Sequence, residues 1–207
     1  MDRGKETRQM SGTIDRLRDF VVDFTGLIGG TLADSALLQE GRDLLAGLIA
    51  RDSWLPDAYA APHAEHYQQY LLHCDPLERF SVVSFVWGPG QRTPVHDHRV
   101  WGLVGVLRGA EYETRYVQAE DGSLAAASSD LLQPGDVSVL SPSEGDIHRV
   151  ANALDDRVSV SIHVYGDNIS RRLRSTYDPA TGAEQPFQSG YSAATLPNLW
   201  NRAIRPQ

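Results

Sequence analysis

The chain has one cysteine, Cys74, among 207 residues. No internal disulfide can form and no thiolate metal cluster can assemble within one chain, so a cytoplasmic location is the simplest expectation. Positive charge is also in short supply: 19 Lys and Arg against 27 Asp and Glu leave a net charge of −8. That balance excludes the basic surface a nucleic acid or an anionic membrane would require. No apolar run approaches the roughly 18 residues of a membrane span, and residues 1–8 are charged where a secretory leader would be apolar. With 41% hydrophobic residues, the composition is that of an ordinary globular protein with one folding unit. No nucleic-acid, membrane or obligatory protein partner is expected.

Two textures divide what is present. Residues 1–10 are charged and expected to fray. After Ser11 or Thr13 as a cap, Ile14, Leu17, Val21, Phe24, Leu27 and Ile28 recur at helical spacing until Gly29 and Gly30. Asp34 and Ser35 can cap a second helix with Leu37, Leu38, Leu44, Leu45, Leu48 and Ile49 on one face. A third helical segment is predicted from Pro56 to about Leu72. From Phe80 onward the chain is β-branched and aromatic and is cut by Gly/Pro turns, with strands predicted at 80–87, 100–106, 111–117, 137–140, 147–151 and 158–165. A small-residue stretch lies at 125–129. The expectation is one mainly β domain over 1–207: a helical N-terminal part (1–78), a β-barrel core (79–166) and a C-terminal wrap (167–207) with a short apolar end at 196–200.

Chemistry concentrates in the barrel. On an extended strand His96 and His98 point to one face and form a chelate, while Asp97 points away. His148 lies in a second segment punctuated by Gly135, Pro142, Gly145 and Asn152. Three neutral imidazoles leave the full charge on a divalent ion and so favour anionic ligands. They suit iron with open positions, or zinc completed by water, and the residues alone leave both open. Along 158–165, Val158, Val160, Ile162 and Val164 alternate with Ser159, Ser161, His163 and Tyr165. If the polar side faces the lumen, Ser161, His163 and Tyr165 can form a hydrogen-bond relay ending in a phenol.

The two histidine segments resemble the paired motifs of the cupin superfamily, double-stranded β-helix or jelly-roll barrels: Gly90, His96, His98 and Gly109 match the first, and Gly135, Pro142, Gly145, His148 and Asn152 the second. The usual glutamate of the first motif is replaced by Gly102. From about Tyr67 to Gly182, through Trp87-Gly88, His96-Asp97-His98, His148-Arg149-Val150, Ser161-x-His163-x-Tyr165 and Asp178-x-x-Thr181-Gly182, the chain resembles the cysteine dioxygenase family of thiol dioxygenases. The resemblance implies one iron(II) per chain held by His96, His98 and His148, with Ser161, His163 and Tyr165 as the outer relay. Animal members have a cysteine near Gly102, cross-linked to the relay tyrosine; glycine cannot make that bond. Gln69 stands where an arginine that grips the amino-acid carboxylate would be, which resembles the 3-mercaptopropionate branch, and Arg174 matches an arginine of that branch near the substrate carboxylate. The implied reaction is oxidation of 3-mercaptopropionate by dioxygen to its sulfinic acid. Cysteine or mercaptosuccinate as substrate, and a zinc-dependent or non-enzymatic cupin that binds a small ligand, are the alternatives.

Overall fold

The computed structural model of the protein describes residues 3–192, with side chains described from residue 14. Helix α1 (Arg3–Ile28) pairs with α2 (Asp34–Ile49), and eleven strands follow: β1 (Gln68–Cys74), β2 (Ser81–Trp87), β3 (Val95–His96), β4 (Gly102–Arg108), β5 (Glu111–Gln118), β6 (Leu124–Leu132), β7 (Val137–Leu140), β8 (His148–Asn152), β9 (Ser159–Tyr165), β10 (Arg174–Tyr177) and β11 (Glu184–Phe187). They form two antiparallel sheets, in the orders β1-β2-β9-β4-β7 and β11-β10-β3-β8-β5-β6. This is the mainly β architecture predicted from the turn-punctuated strands, and the double-stranded β-helix implied by the cupin resemblance.

The helices cover the outer face of the five-stranded sheet. Leu38, Leu45, Leu48 and Ile49 of α2, with Phe20 and Phe24 of α1, meet Val82, Val86, Leu103, Val160, Ile162 and Val164 in one apolar cluster. Burying a side chain of this size contributes roughly 1.5–3 kcal/mol, so the helical segment is anchored to the sheet. Gly41 lets the two layers approach: a Cβ there would lie 3.1 Å from both Leu103 and Phe24.

Strand alternation then turns the opposite side of the same sheet inward. Val83, Phe85 and Trp87 of β2 and Tyr165 of β9 join a second cluster with Val100, Val150, Ile169 and Tyr191. Strand β9 is therefore buried on both faces, with its apolar side toward the helices and its polar side toward the lumen.

Three local expectations are corrected. The predicted third helix is absent: Pro56 leads only a 3₁₀ turn (Asp57–Tyr59), and strand pairing begins at Gln68 rather than near 79. Pro62, inside the predicted helix, removes a donor and clashes with the preceding turn, and tertiary pairing of β1 with β2 takes the following residues. Helix α1 starts at Arg3, running through Ser11 and Thr13 instead of being capped by them, because residues 5–10 contain no breaker and include good helix formers. The 125–129 stretch is part of β6, paired with β5. Beyond 166, β10 and β11 extend the six-stranded sheet; the apolar end at 196–200 lies outside the described residues.

Candidate metal centre

Strand register brings the two histidine segments together. In the β3–β8 ladder His96 lies directly opposite His148, although 52 residues separate them in sequence (148 − 96). His98 is beyond the end of β3 and is positioned differently. Asp146 Oδ2 accepts the backbone N–H of His98 and of Arg99, both at 2.9 Å, which bends the chain through Arg99 at φ 57°. Asp97 points away as expected, accepting from the Ser175 N–H at 2.7 Å, Arg99 Nε at 3.1 Å and the Tyr177 hydroxyl at 3.0 Å.

The three imidazoles converge. One ring nitrogen of each lies within 4.8 Å of the others, and His96 Nε2 is 3.2 Å from His98 Nε2. The outer nitrogens of two of them fix their tautomers. His96 Nδ1 is 3.1 Å from the Pro94 carbonyl and His148 Nδ1 is 2.7 Å from Glu113 Oε1. A carbonyl or a carboxylate can only accept, so both Nδ1 atoms carry hydrogen and both Nε2 lone pairs face the centre. Burial, reinforced by the neighbouring histidines, holds His96 and His98 well below the ordinary imidazole pKa, so they do not fill the gap with protons of their own. His98 Nδ1 is buried without a hydrogen-bond partner. Three convergent ring nitrogens with no anion among them form a set that fits a divalent cation, iron included.

Behind His148, Glu113 is buried and ionised. Burial alone would raise its pKa, but the contacts with His148, Ser138 and Arg115 outweigh it and hold the carboxyl down to about 2. Ser138 Oγ donates to Glu113 Oε2 at 2.5 Å.

Facing the triad from the other sheet, β9 supplies the relay. Ser161 Oγ lies 2.9 Å from His163 Nε2, and His163 Nδ1 lies 2.8 Å from the Tyr165 hydroxyl. The Tyr165 ring stacks on His98 with centroids 5.2 Å apart. Burial lowers His163 to about 3 and raises the Tyr165 phenol above its ordinary value, so both are neutral. A Cβ on Gly102 would sit 3.4 Å from the Tyr165 ring, a close approach that a larger residue would tighten.

Tyr67, Gln69, Arg174 and Phe187 line the same cavity of about 190 Å³ as the three histidines, His163 and Tyr165. Gln69 is on a strand, not a helix surface; alternation turns it and Tyr67 to the cavity, while Gln68 bonds the backbone of His66 and Tyr67. The basic run 171–174 divides: Arg171 and Arg172 pair with Asp167, whereas Arg174 is 4% exposed, donates to Ser189 and stacks 4.5 Å over Phe187. Its Nε is buried with no hydrogen-bond partner, and burial lowers its pKa.

Sequence reasoning missed Asp146, Glu113 and Glu111. Glu111 and Glu113 are two apart on β5, a period that marks one face, but an acidic strand face reads as solvated until the fold buries it. A further cluster, His63, Glu65 and His66, also brings three ligand groups within 4.8 Å, but on the exposed surface.

A β-helix barrel with a buried three-histidine cluster facing its lumen defines a metal-binding cupin. Within that class the chain belongs to the cysteine dioxygenase type I family, whose model matches residues 50–174. Members are iron-dependent dioxygenases acting on thiols, and the matched span holds all three convergent histidines, His163 and Tyr165. Among solved structures, the chain is similar to an uncharacterised double-stranded β-helix protein from Klebsiella pneumoniae (18% identity, 64% of this chain and 94% of that one, TM-score 0.41). It is also similar to TT1209 from Thermus thermophilus (20% identity, 54% and 92%, TM-score 0.43).

Proposed function

We propose that this protein is an iron(II)-dependent dioxygenase that converts 3-mercaptopropionate to 3-sulfinopropionate, with one iron per chain held by His96, His98 and His148. Both atoms of dioxygen go to sulfur: the thiol and O₂ give the sulfinate and one proton, sulfur being oxidised and oxygen reduced. Iron, when bound, supplies the site at which thiol and dioxygen meet. The residues around it set what can enter and in which orientation.

One observation carries the substrate reading. Arg174 and Gln69 share a cavity with the three histidines, and no carboxylate is among the described residues that line it. Arg174 retains an unused Nε–H in a buried setting, which a substrate carboxylate would satisfy by a charge-assisted hydrogen bond. An α-ammonium, as in cysteine, would enter with no anion to offset its desolvation. This favours a thiol carboxylate that lacks the amino group. Fixing the carboxylate at Arg174 holds the thiol end by the histidines, so the encounter with dioxygen becomes effectively intramolecular. Tyr165, oriented by His163 and Ser161, offers its hydroxyl to the reacting end.

Oxygen uptake by the iron-loaded protein, with sulfinate product quantified, tests this. A kcat/KM for 3-mercaptopropionate about tenfold or more above that for L-cysteine is expected, matching roughly 1.4 kcal/mol or more of discrimination. A preference for cysteine would discard the substrate assignment and keep the dioxygenase. No thiol-dependent uptake with either would discard the activity, and zinc as the retained metal would favour a zinc-dependent cupin.

A further inference from the structure

The relay does not end at Ser161. Glu111, at the start of β5, is fully buried behind it and takes no part in holding the metal ligands. Glu111 Oε1 accepts from Ser159 Oγ at 3.1 Å, and Ser159 and Ser161 are on one face of β9. Its second oxygen, Oε2, is buried with no hydrogen-bond partner. Ser161 and the indole N–H of Trp87 both favour its charged form, and the same Trp87 Nε1 donates to Ser161 Oγ at 3.2 Å.

We propose that Glu111 is the positioning residue that sets the direction of the Ser161–His163–Tyr165 relay, deciding whether Tyr165 presents a proton or a lone pair to the cavity. The argument is one of hydrogen-bond supply. A serine hydroxyl has one hydrogen and two lone pairs, and a neutral imidazole has one donor and one acceptor nitrogen. One of the Ser161 lone pairs is taken by Trp87. No hydrogen bond joins Glu111 to Ser161 in this arrangement, and the unpartnered Oε2 is the oxygen left to make one; if a protonated Glu111 donates from it to the other lone pair, Ser161 must give its hydrogen to His163 Nε2. His163 Nδ1–H then donates to the Tyr165 oxygen, and the phenol hydrogen is left for the cavity. If Glu111 is ionised, Ser161 donates to it instead. His163 must then carry its hydrogen on Nε2, its Nδ1 accepts from Tyr165, and the cavity sees only the oxygen lone pairs. Once the free oxygen of Glu111 engages Ser161, one proton on Glu111 reverses every bond of the chain.

Glu111 is suited to switch within the working range. Burial raises its carboxyl to about 8, partly opposed by Ser161 and Ser159 and reinforced by Glu113. The titratable groups around it are Glu113 on its own strand and His163 on β9, at about 2 and about 3, so neither changes state with it. Trp87 on β2, Asn152 opposite on β8 and Leu132 opposite on β6 do not titrate. Below about pH 8 Tyr165 is therefore a donor to the cavity, and above it an acceptor.

The catalytic consequence rests on the dioxygenase reading, but the relay itself does not, so the first measurement needs no turnover. In the full chain loaded with zinc, which is diamagnetic, the His163 tautomer is followed by ¹⁵N NMR from about pH 6 to about pH 10. The wild type should pass from Nδ1–H to Nε2–H with a midpoint of about 8. Glu111→Gln, which cannot ionise, and Ser161→Ala, which cuts the connection and keeps Glu111, should each show no pH-dependent tautomer change. A single wild-type tautomer throughout, or an unaltered transition in either variant, would overturn the proposal. With the iron-loaded enzyme, kcat should fall on the alkaline side in the wild type and lose that fall in Glu111→Gln; a retained alkaline fall would count against it. A tautomer switch without any thiol-dependent oxygen uptake would support the relay and reject the proposed reaction.

Discussion

Two clusters in this molecule meet the same distance requirement for a metal site, and they differ in everything else. His96, His98 and His148 are buried, while His63, Glu65 and His66 are exposed; in both, three ligand groups come within 4.8 Å. In the exposed cluster His63 Nδ1 already accepts the Glu65 backbone N–H at 3.2 Å and its ring lies against His66 at 4.0 Å. Its side chains must give up water and rotamer freedom to bind anything. In the buried cluster that cost is met on folding: Pro94 and Glu113 fix two tautomers, and Asp146 fixes the chain at His98. Proximity of ligands is common; what distinguishes a centre is a set of acceptors that aim the rings and a wall that excludes solvent.

The largest expected effect comes from the ligands themselves. His148→Ala should reduce retained iron to below about a tenth of wild type, while the double substitution of His63 and His66 by Ala leaves occupancy unchanged, both measured by metal analysis after desalting. Equal loss in the two would erase the distinction. Next is the carboxylate behind His148: Glu113→Gln should weaken metal affinity by about 10–100-fold in a chelator competition, and Glu65→Gln should not. An unweakened Glu113 variant would mean that ring orientation is supplied elsewhere. A third test concerns folding of the metal-free protein. His163 is neutral in the folded state down to about pH 3, whereas in the unfolded chain it protonates below its ordinary 6.5. The unfolded state then binds the extra proton, so stability falls as pH drops from 6.5 toward 3, by about 1.4 kcal/mol per pH unit for this group. Denaturant titrations should show a shallower acid slope in His163→Gln; an identical slope would place the acid sensitivity elsewhere.

Much of the centre was legible because its main carriers obey local rules. Ser161, His163 and Tyr165 are spaced by two on β9, and strand alternation puts them on one side; His96 and His98 share that spacing, but β3 ends at His96 and Asp146 holds the chain at His98. That the polar side of β9 faces inward was not local information. It follows from the helices α1 and α2 claiming the Val160, Ile162 and Val164 side. Asp146, Glu113 and Glu111 were invisible for a related reason: their targets are a backbone N–H, a ring nitrogen and a serine that only the ladder register brings within reach. The helix predicted from Pro56 is absent because Pro62 and the pairing of β1 with β2 decide otherwise. The division of the basic run, with Arg174 inward and its neighbours on Asp167, likewise appears only once β10 joins the sheet.

The centre is shared between the sheets: His96 and His148 come from the six-stranded one, and the Ser161–His163–Tyr165 relay from the five-stranded one. This has a kinetic meaning. A nascent or partly collapsed chain can hold at most the neighbouring His96 and His98, because the third nitrogen arrives only when a loop of about fifty residues has closed, a step that long-range β pairing makes slow. A metal held by all three nitrogens is therefore bound at the end of folding rather than at its beginning.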